Sequence, residues 1–320
     1  MVIGQILRWI LPPIIVAGVR WVRTGNILRF LSRSKASERT TFRYGDYVLQ
    51  CDSSHHLPRI LELWPDFGRN LADFVLALQV HEPRVIDVGA NIGDTALLLA
   101  CFASAARVLC IEGDSQFIAD LKVNTAQITG VTLVQAILSD HSFETRGKFV
   151  VTHGTAQLQI DAAGDAIRMV ALDDLLKDNA EFSTPDLIKV DTDGFDVPIL
   201  RGGKGVLMSS RPVVFYEWHP PSYGMVGEND TNHADFLMSL GYRHFIIYTN
   251  KGEPLLMVEG PKRDIWESLG QFSRGRQPID DWHYDIAAFP SERLKVWIRL
   301  AQHYSSSGIY GHLQQLREPS

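Results

Sequence analysis

A glycine-containing turn carries the first residues of the sequence that could do chemistry. The run Asp87–Asp94 joins an apolar strand, expected at Arg84–Val88, to a helix expected at Asp94–Phe102. In a doubly wound sheet, ligands bind at the carboxyl ends of the strands, and Gly89 and Gly93 allow the backbone to approach a ligand closely. The spacing is GxxxG and not GxGxxG, so the fingerprint of a dinucleotide-binding site is not met.

An acid, Glu112, ends the next expected strand, Arg107–Glu112, and follows Gly93 by 19 residues. A carboxylate in this position can accept hydrogen bonds from both ribose hydroxyls of a nucleoside. The two features together predict an adenosine-containing cofactor without a pyrophosphate, for which S-adenosyl-L-methionine fits best. The predicted cofactor-binding residues are Asp87, Gly89, Asn91, Gly93, Asp94, Glu112, Asp114 and Asp140. The alternative is a plain tight turn followed by a surface acid.

A second group of polar residues lies at the ends of two later strands, Leu187–Val190 and Val213–Trp218. An S-adenosylmethionine cofactor implies methyl transfer. If the acceptor is a hydroxyl, it is a poor nucleophile until its proton is removed, so the site needs positioning groups and a base. Asp191 is the preferred base or substrate-orienting acid, and the imidazole of His219 has the more suitable intrinsic pKa. The predicted catalytic residues are Asp191, His219, Glu217 and Lys189, and the predicted substrate-binding residues are His153, Thr155 and Asp193.

Three other interpretations of the second group stay open. Asp193 or Asp196 can cap the helix that follows, and Lys189 can pair with Asp191 inside the sheet. Asp191 with Asp193 can also hold a divalent cation, because such cations prefer carboxylate oxygens. Two acids alone are weak support for a metal site, so no metal-binding residue is predicted.

Four stretches of the sequence carry a family resemblance. They are VIDVGANIGDTA, CIEGD, LIKVDTDGFDVPILRGG and PVVFYEWHP. Together they resemble the FkbM family of S-adenosylmethionine-dependent methyltransferases, and the resemblance covers roughly residues 45–250. It implies a class I methyltransferase fold, a cofactor held at Asp87–Asp94 and Glu112, and usually O-methylation. Polyketide and saccharide hydroxyls are among the family's known acceptors.

The elements that must position these residues alternate along the chain. Strands separated by helices predict an α/β fold, a class I methyltransferase (Rossmann-like) fold with a mainly parallel sheet and helices on both faces. A small N-terminal cap and a C-terminal extension complete it. The predicted segments are 1–40, a basic apolar segment and linker; 41–80, the cap; 81–260, the cofactor-binding domain; and 261–320, a helical extension.

The cap and one insertion have patterns of their own. Thr41–Asp52 alternates around Gly45 and predicts a hairpin, and Leu57–Leu63 and Leu71–Leu78 have helical spacing. Lys148–Ile160 predicts an inserted hairpin over the carboxyl edge of the sheet. Such a hairpin would help to line the acceptor pocket.

Composition and charge limit the function classes. Of the 320 residues, 45% are hydrophobic and 21% are charged, which excludes a wholly disordered chain. The net charge of −6 argues against a general nucleic-acid binder. The three cysteines form no CxxC pair, so a disulfide scaffold is not expected and a reducing cytoplasm is the expected location.

The amino-terminal segment, residues 1–37, has six basic residues and no acid. Its apolar run Trp9–Val19 is eleven residues long, whereas a membrane-spanning helix needs about 20. The segment predicts peripheral contact with the cytoplasmic face of an anionic membrane. An arm packed on the body or on a sister subunit, and a cleaved signal, are the alternatives.

These observations predict a methyltransferase that uses S-adenosyl-L-methionine to O-methylate a saccharide, a glycolipid or a related metabolite. The expected partner is a small-molecule or glycan acceptor, with no nucleic acid, and the oligomeric state is left open. Two other functions remain: an NAD-dependent oxidoreductase, and a non-catalytic, membrane-attached nucleoside-binding protein.

Overall fold

The computed structural model describes residues 39–44, 46–64, 67–103, 105–152, 154–192, 194–225, 233–276 and 282–306. The chain divides into two compact units, residues 1–40 and 41–320, and the architecture below is that of the second. The predicted membrane-binding segment 1–37 lies outside the described residues. No helix among the described residues combines the length and the apolarity needed to cross a membrane.

The strands and helices follow one another in the predicted alternation. The strands are β1 (Arg39–Tyr44), β2 (Tyr47–Asp52), β3 (Arg84–Val88), β4 (Arg107–Glu112), β5 (Val131–Gln135), β6 (Ile137–Ser139), β7 (Phe143–Thr152), β8 (Thr155–Ile160), β9 (Asp165–Ala171), β10 (Leu187–Val190), β11 (Val213–Trp218), β12 (Tyr242–Thr249), β13 (Pro254–Glu259) and β14 (Tyr284–Pro290). The helices are α1 (Leu57–Leu63), α2 (Arg69–Leu78), α3 (Asp94–Phe102), α4 (Ser115–Thr125), α5 (Leu172–Asp178), α6 (Asp196–Gly202), α7 (Lys204–Ser210), α8 (Pro220–Met225), α9 (His233–Ser239), α10 (Arg263–Arg276) and α11 (Leu294–Ser306).

An eight-stranded mixed sheet forms the centre of the fold, in the order β13-β12-β14-β11-β10-β3-β4-β5. The five strands from β11 to β5 are parallel, and β14 runs antiparallel between β11 and β12. The predicted α/β class is therefore confirmed.

Two hydrophobic cores cover the two faces of this sheet. Successive side chains of a strand point to opposite faces, so Ile86 and Val88 of β3 face α5, α6 and α7, while Val85 faces α2 and α3. β10 is buried along its whole length, as expected for a parallel strand with helices on both sides. Lys189 in this strand lies beside Asp87 of β3.

A second sheet has four strands, in the order β6-β9-β7-β8. The predicted insertion Lys148–Ile160 is a hairpin, as expected, but β7 begins earlier, at Phe143, and β9 pairs with it. We did not predict β9, since the run Asp165–Ala171 is largely exposed over its first half and gives a weak strand pattern.

The cap has the predicted hairpin and both predicted helices. Leu49, Cys51 and Leu57 are buried against Ile92, Leu97 and Phe117 of the main domain. The Asn124 side chain of α4 fastens β2: its Nδ2 donates to the Gln50 carbonyl at 2.9 Å, and its Oδ1 accepts from the Gln50 amide at 2.9 Å. The cap is thereby held next to the glycine-containing turn.

The C-terminal region differs from the expectation of a helical extension. Residues 261–320 contain α10 and α11, but β14 lies within the main sheet between β11 and β12. Its register places Asp285 opposite Glu217 of β11. The sheet that builds the site therefore continues beyond residue 260.

Candidate active site

A cavity of about 700 Å³ opens at the carboxyl edge of β3, β4, β10 and β11. The cap and the β7–β8 hairpin contribute its other walls. Eight residues predicted from the sequence line this cavity together: Gly89, Asn91, Asp94, Glu112, Lys189, Asp191, Glu217 and His219. The cofactor-binding and catalytic groups predicted separately thus belong to one site.

Three predicted substrate residues cannot be placed by their side chains. His153 and Asp193 lie outside the described residues, and Thr155 is described only as the first residue of β8. Other residues of the same hairpin do line the cavity, namely Phe149, Val150, Gly154, Ala156, Gln157 and Leu158.

The turn after β3 depends on backbone conformations that favour glycine. Gly89 has φ +76°, and a Cβ atom there would lie 1.9 Å from the carbonyl oxygen of Asp191. Asn91 also has a positive φ of 48°, which asparagine tolerates better than most residues. The turn can therefore lie in direct contact with the end of β10. This contact brings the predicted cofactor-binding residues of the turn next to Asp191.

Gly93 has a different role from the predicted one. Its φ is +92°, but a Cβ atom there would meet the Leu121 side chain at 2.8 Å and Thr125 at 3.2 Å, both on α4. Gly93 does not line the cavity. The missing side chain lets α3 begin against α4, so close helix packing is the physical reason for this glycine.

Glu112 is a buried carboxylate with both oxygens oriented by the backbone. Oε2 accepts from the Asn91 amide at 2.8 Å, and Oε1 accepts from the Asp114 amide at 2.8 Å. Burial raises the pKa of Glu112, and these backbone N–H groups oppose that rise. Carboxylate oxygens have further lone pairs, so the group can also accept hydrogen bonds from a ligand in the cavity.

Asp114 and Asp140 were both expected to bind cofactor, and neither lines the cavity. Asp114 caps helix α4, where its Oδ1 accepts from the amides of Gln116 and Phe117. Asp140 is exposed and pairs with His141 at 2.7 Å. An acid near a strand end looks the same in the sequence whether it faces a ligand, a helix start or solvent.

Asp87 does not line the cavity, but it pairs with Lys189, which does. Lys189 Nζ donates to Asp87 Oδ1 at 3.0 Å and lies 3.3 Å from Asp191 Oδ2. Burial works against the charge on Lys189, but Asp87, Asp191 and Asp94 outweigh burial and raise its pKa. The predicted Lys189–Asp191 pair thus exists, and a deeper pair with Asp87 anchors it.

The charged groups in and next to the cavity fit a nucleoside that carries a positive charge. Asp87 Oδ2 is buried and accepts no hydrogen bond from the described residues. Burial raises the pKa of Asp94 to about 6. Around Lys189, the one buried lysine among the described residues, lie three carboxyl groups, of Asp87, Asp94 and Asp191. Such a surplus of acids favours a cationic ligand.

An apolar slot adjoins Glu112. A Cβ atom on Gly113 would meet Phe149 at 2.9 Å and Ile137 at 3.0 Å, so only glycine leaves this space open. Phe117 and Leu138 line the same side of the cavity. A nucleoside matches this arrangement, because its flat aromatic base can lie in the slot while its ribose hydroxyls donate to Glu112.

The other end of the cavity holds polar groups from β11 and its neighbours. His219 Nδ1 and Ser222 Oγ form a hydrogen bond, and His283 Nε2 lies 3.8 Å from Glu217 Oε2. His283 and Ser222 line the cavity and were not predicted. His283 precedes β14, and only the antiparallel pairing of β14 with β11 brings it here.

Asp285 is an acid close to Glu217 that was not predicted as a site residue. It lies opposite Glu217 in the sheet register. Burial, followed by the negative charge of Asp191, raises the pKa of Asp285 to about 8. The sequence places it 68 residues beyond Glu217, so no local pattern could reveal the proximity.

The alternative that Asp196 caps helix α6 is wrong, because the helix begins at Asp196, its N-cap residue is Phe195, and the Phe195 side chain makes no capping hydrogen bond. Asp196 is fully buried, and its Oδ2 accepts from Gly194 N at 3.2 Å and from Thr192 Oγ1 at 3.3 Å. Its Oδ1 accepts from the Glu217 amide at 3.3 Å. Asp196 therefore holds the turn against β11 and has a structural role.

Comparisons with known proteins give one family. Residues 87–244 match the model of the methyltransferase FkbM domain. No curated protein matches the sequence.

Solved structures of methyltransferases are similar to the chain at low identity and with TM-scores below 0.5. The methyltransferase FkbM of Methylobacillus flagellatus KT is 15% identical with a TM-score of 0.41, and the similarity covers 75% of this chain and 56% of that one. A SAM-dependent methyltransferase from Agrobacterium tumefaciens is 9% identical (TM-score 0.43, 81% and 72% covered). A precorrin-6y C5,15-methyltransferase from Geobacter metallireducens GS-15 is 16% identical (TM-score 0.38, 69% and 87% covered). The chain thus spans little more than half of the first of these proteins.

Proposed function

We propose that this chain, which belongs to the FkbM family of methyltransferases through its domain at residues 87–244, O-methylates a saccharide, a glycolipid or a related metabolite. S-adenosyl-L-methionine is the cofactor. When bound, it supplies a methyl group attached to a positively charged sulfur.

One observation carries the proposal. The ribose-type carboxylate Glu112 and the strand-end groups Asp191, Glu217 and His219 line the same cavity. A methyltransferase needs the methyl donor and the acceptor hydroxyl next to each other. The polar end of the cavity supports a hydroxylated acceptor, since carboxylates and imidazoles accept hydrogen bonds from hydroxyl groups.

The residues of the chain divide the work between binding and proton transfer. Glu112 accepts hydrogen bonds from the ribose, and the slot beside Gly113 receives the base. Lys189 lies 3.3 Å from Asp191 and orients its carboxyl group, and Asp191 takes the proton from the acceptor hydroxyl. The Asp191 side chain is 47% exposed, so it can reach a substrate.

The experiment is a cofactor-consumption screen. The full chain is incubated with S-adenosyl-L-methionine and a panel of saccharide and lipid-linked acceptors, and S-adenosylhomocysteine is quantified. We expect acceptor-dependent product, with the methyl group located on oxygen by mass spectrometry. Methylation of a nitrogen or carbon atom would overturn the O-methylation. Cofactor binding without any product from the panel would favour the non-catalytic alternative.

A further inference from the structure

Three other segments of the chain meet at Asn91, two at its side chain and one at its backbone. His55, from the cap, lies 3.3 Å from Asn91 Oδ1 through its Nε2 atom. Asn91 Nδ2 donates to the carbonyl of Gly154, in the β7–β8 hairpin, at 2.8 Å. The backbone N–H of Asn91 donates to Glu112 Oε2 at 2.8 Å. Asn91, in the turn after β3, is thus hydrogen-bonded to the cap, to the β7–β8 hairpin and to the carboxylate of Glu112.

The protonation state of His55 follows from its other nitrogen. The Leu57 amide donates to His55 Nδ1 at 3.1 Å, so Nδ1 has to be the unprotonated acceptor. The proton of the neutral ring is then on Nε2, which donates to Asn91 Oδ1. The Leu57 contact therefore requires the neutral imidazole, and the Asn91 contact requires a hydrogen on Nε2.

The hairpin closes directly on the imidazole ring. A Cβ atom on Gly154 would lie 2.7 Å from three ring atoms of His55, and the ring also packs edge-on against Phe117 at 6.2 Å between centroids. His55 and Gly154 both line the cavity. The ring is consequently a part of the wall that fixes where the hairpin and the turn lie.

We propose that His55 is a positioning residue for cofactor binding: its Nε2–H donor holds Asn91, and Asn91 in turn orients the Glu112 carboxylate and the hairpin around the cofactor. The inference rests on the cofactor of the proposed function and is independent of the acceptor. His55 acts through Asn91, and we assign it no part in the chemical step.

The inference has a pH dependence with a definite sign. Protonation adds a hydrogen to Nδ1, which then faces the Leu57 N–H, so the contact becomes a repulsion between two donors. Burial lowers the pKa of His55, the charge of His56 lowers it further, and the contact with Asn91 together with Asp120 and Asp52 opposes this. We expect this repulsion to displace the ring, and Nε2 with it, from Asn91, so cofactor affinity should fall as the pH drops below the ordinary histidine pKa.

Two substitutions at His55 test the roles of the two ring nitrogen atoms separately. In His55→Gln the side-chain amide nitrogen reaches the position of Nε2 and keeps the donor to Asn91. In His55→Asn the shorter side chain reaches only the position of Nδ1 and loses that donor. His81→Ala, an exposed histidine ahead of β3, is the control for removal of a histidine.

Affinity of the full chain for S-adenosylhomocysteine is measured by calorimetry, with melting temperatures alongside. We expect parental affinity for His81→Ala, a change of at most about twofold for His55→Gln, and a loss of about three- to tenfold for His55→Asn, the effect of one ordinary hydrogen bond. As the pH falls below about 6.5, the ordinary histidine value, the parent should lose more affinity than His55→Gln, which has no titrating group at this position.

Equal affinities of His55→Gln and His55→Asn would overturn the inference, whatever their melting temperatures. A parallel pH dependence of the parent and His55→Gln would also overturn it, since Asp94 and Glu112 are unchanged in both proteins. A failure of O-methylation in the acceptor screen leaves these binding measurements unaffected, so the two proposals can fail separately.

Discussion

Glu112 and Asp191 show how identical chemistry acquires different roles from its surroundings. Glu112 is 7% exposed and held by two backbone N–H groups, whereas Asp191 is about half exposed and held by one ammonium group. The first environment suits fixed recognition of a ligand. The second suits proton transfer to and from a substrate that enters from solvent.

Residue types and spacing were sufficient to predict eight of the residues that line the cavity. They were insufficient for Gly93, Asp114 and Asp140, because a glycine or acid that packs a helix, caps it or faces solvent leaves the same mark in the sequence. His283 and Asp285 were missed for another reason, since only the pairing of β14 with β11 brings them close to Glu217. Ser222 was missed as well, although it follows His219 by only three residues.

Replacing Glu112 tests the ribose assignment. Glu112→Gln keeps the size of the side chain but removes the charge that strengthens its hydrogen bonds to a ligand. The loss of such charge-assisted bonds costs about 1.5–3 kcal/mol, so calorimetry should show affinity for S-adenosylhomocysteine falling by about 10- to 100-fold. Glu82→Gln, at an exposed glutamate, should bind like the parent. Unchanged affinity in Glu112→Gln would remove Glu112 from the cofactor site.

Replacing Asp191 tests the base. Asp191→Asn preserves volume at a half-exposed position, so the melting temperature should stay within a few degrees of the parent. Loss of a general base costs about 10²–10⁴-fold in rate, and turnover should fall by that factor while cofactor still binds. His219→Ala tests the rival base on the neighbouring strand. Near-parental turnover in Asp191→Asn, together with its loss in His219→Ala, would assign the base to His219.

At the scale of elements, the strands with strong apolar runs were predicted closely. The predicted β3, β4, β10 and β11 have the observed bounds, because a buried parallel strand is a short continuous apolar run. The partly exposed β9 and the late β14 were not predicted. A strand whose partners are distant in the chain gains its stability from contacts that no local window contains.

The buried pair between Lys189 and Asp87 joins β10 to β3, and its removal should weaken the sheet. Lys189→Met leaves the carboxyl group of Asp87 buried without a cation, a change that costs about 3–5 kcal/mol of unfolding free energy. The double variant Lys189→Met with Asp87→Asn removes both charges and should recover part of the loss. Urea denaturation measures both. Equal stability of the single and double variants would mean that the pair contributes no electrostatic coupling.

The same single variant should have a pH-dependent stability of predictable sign. Burial raises the pKa of Asp87 even beside Lys189, and without the cation nothing opposes that rise. A carboxyl group with a raised pKa in the folded state favours folding below its unfolded pKa, and that stability is lost as the pH rises through the folded value. The unfolding free energy of Lys189→Met should therefore fall from about pH 4 upward, more steeply than in the double variant.

The whole molecule separates its charges along the chain. The net charge is −6, while residues 1–37 contribute six positive charges and no negative one. The remainder, which includes the acid-rich cavity, is therefore strongly acidic. An anionic membrane would attract the first segment and repel the rest, an arrangement that would hold the catalytic domain at the surface without embedding it.

Vesicle sedimentation of the full chain tests the proposed peripheral membrane contact. Each basic residue near an anionic leaflet contributes about 1 kcal/mol, and the tryptophans Trp9 and Trp21 can lie at the interface. We expect pelleting with phosphatidylserine or cardiolipin vesicles at low salt, weakening as salt screens the charges, and no pelleting with neutral vesicles. A full-length variant with Arg20, Arg23, Arg29 and Arg33 changed to Gln removes four of the six charges and should stay in the supernatant. If the parent also stays there at low salt, the basic segment is an arm that packs on protein, because six positive charges beside an apolar run would otherwise have sufficed to hold the chain on an anionic bilayer.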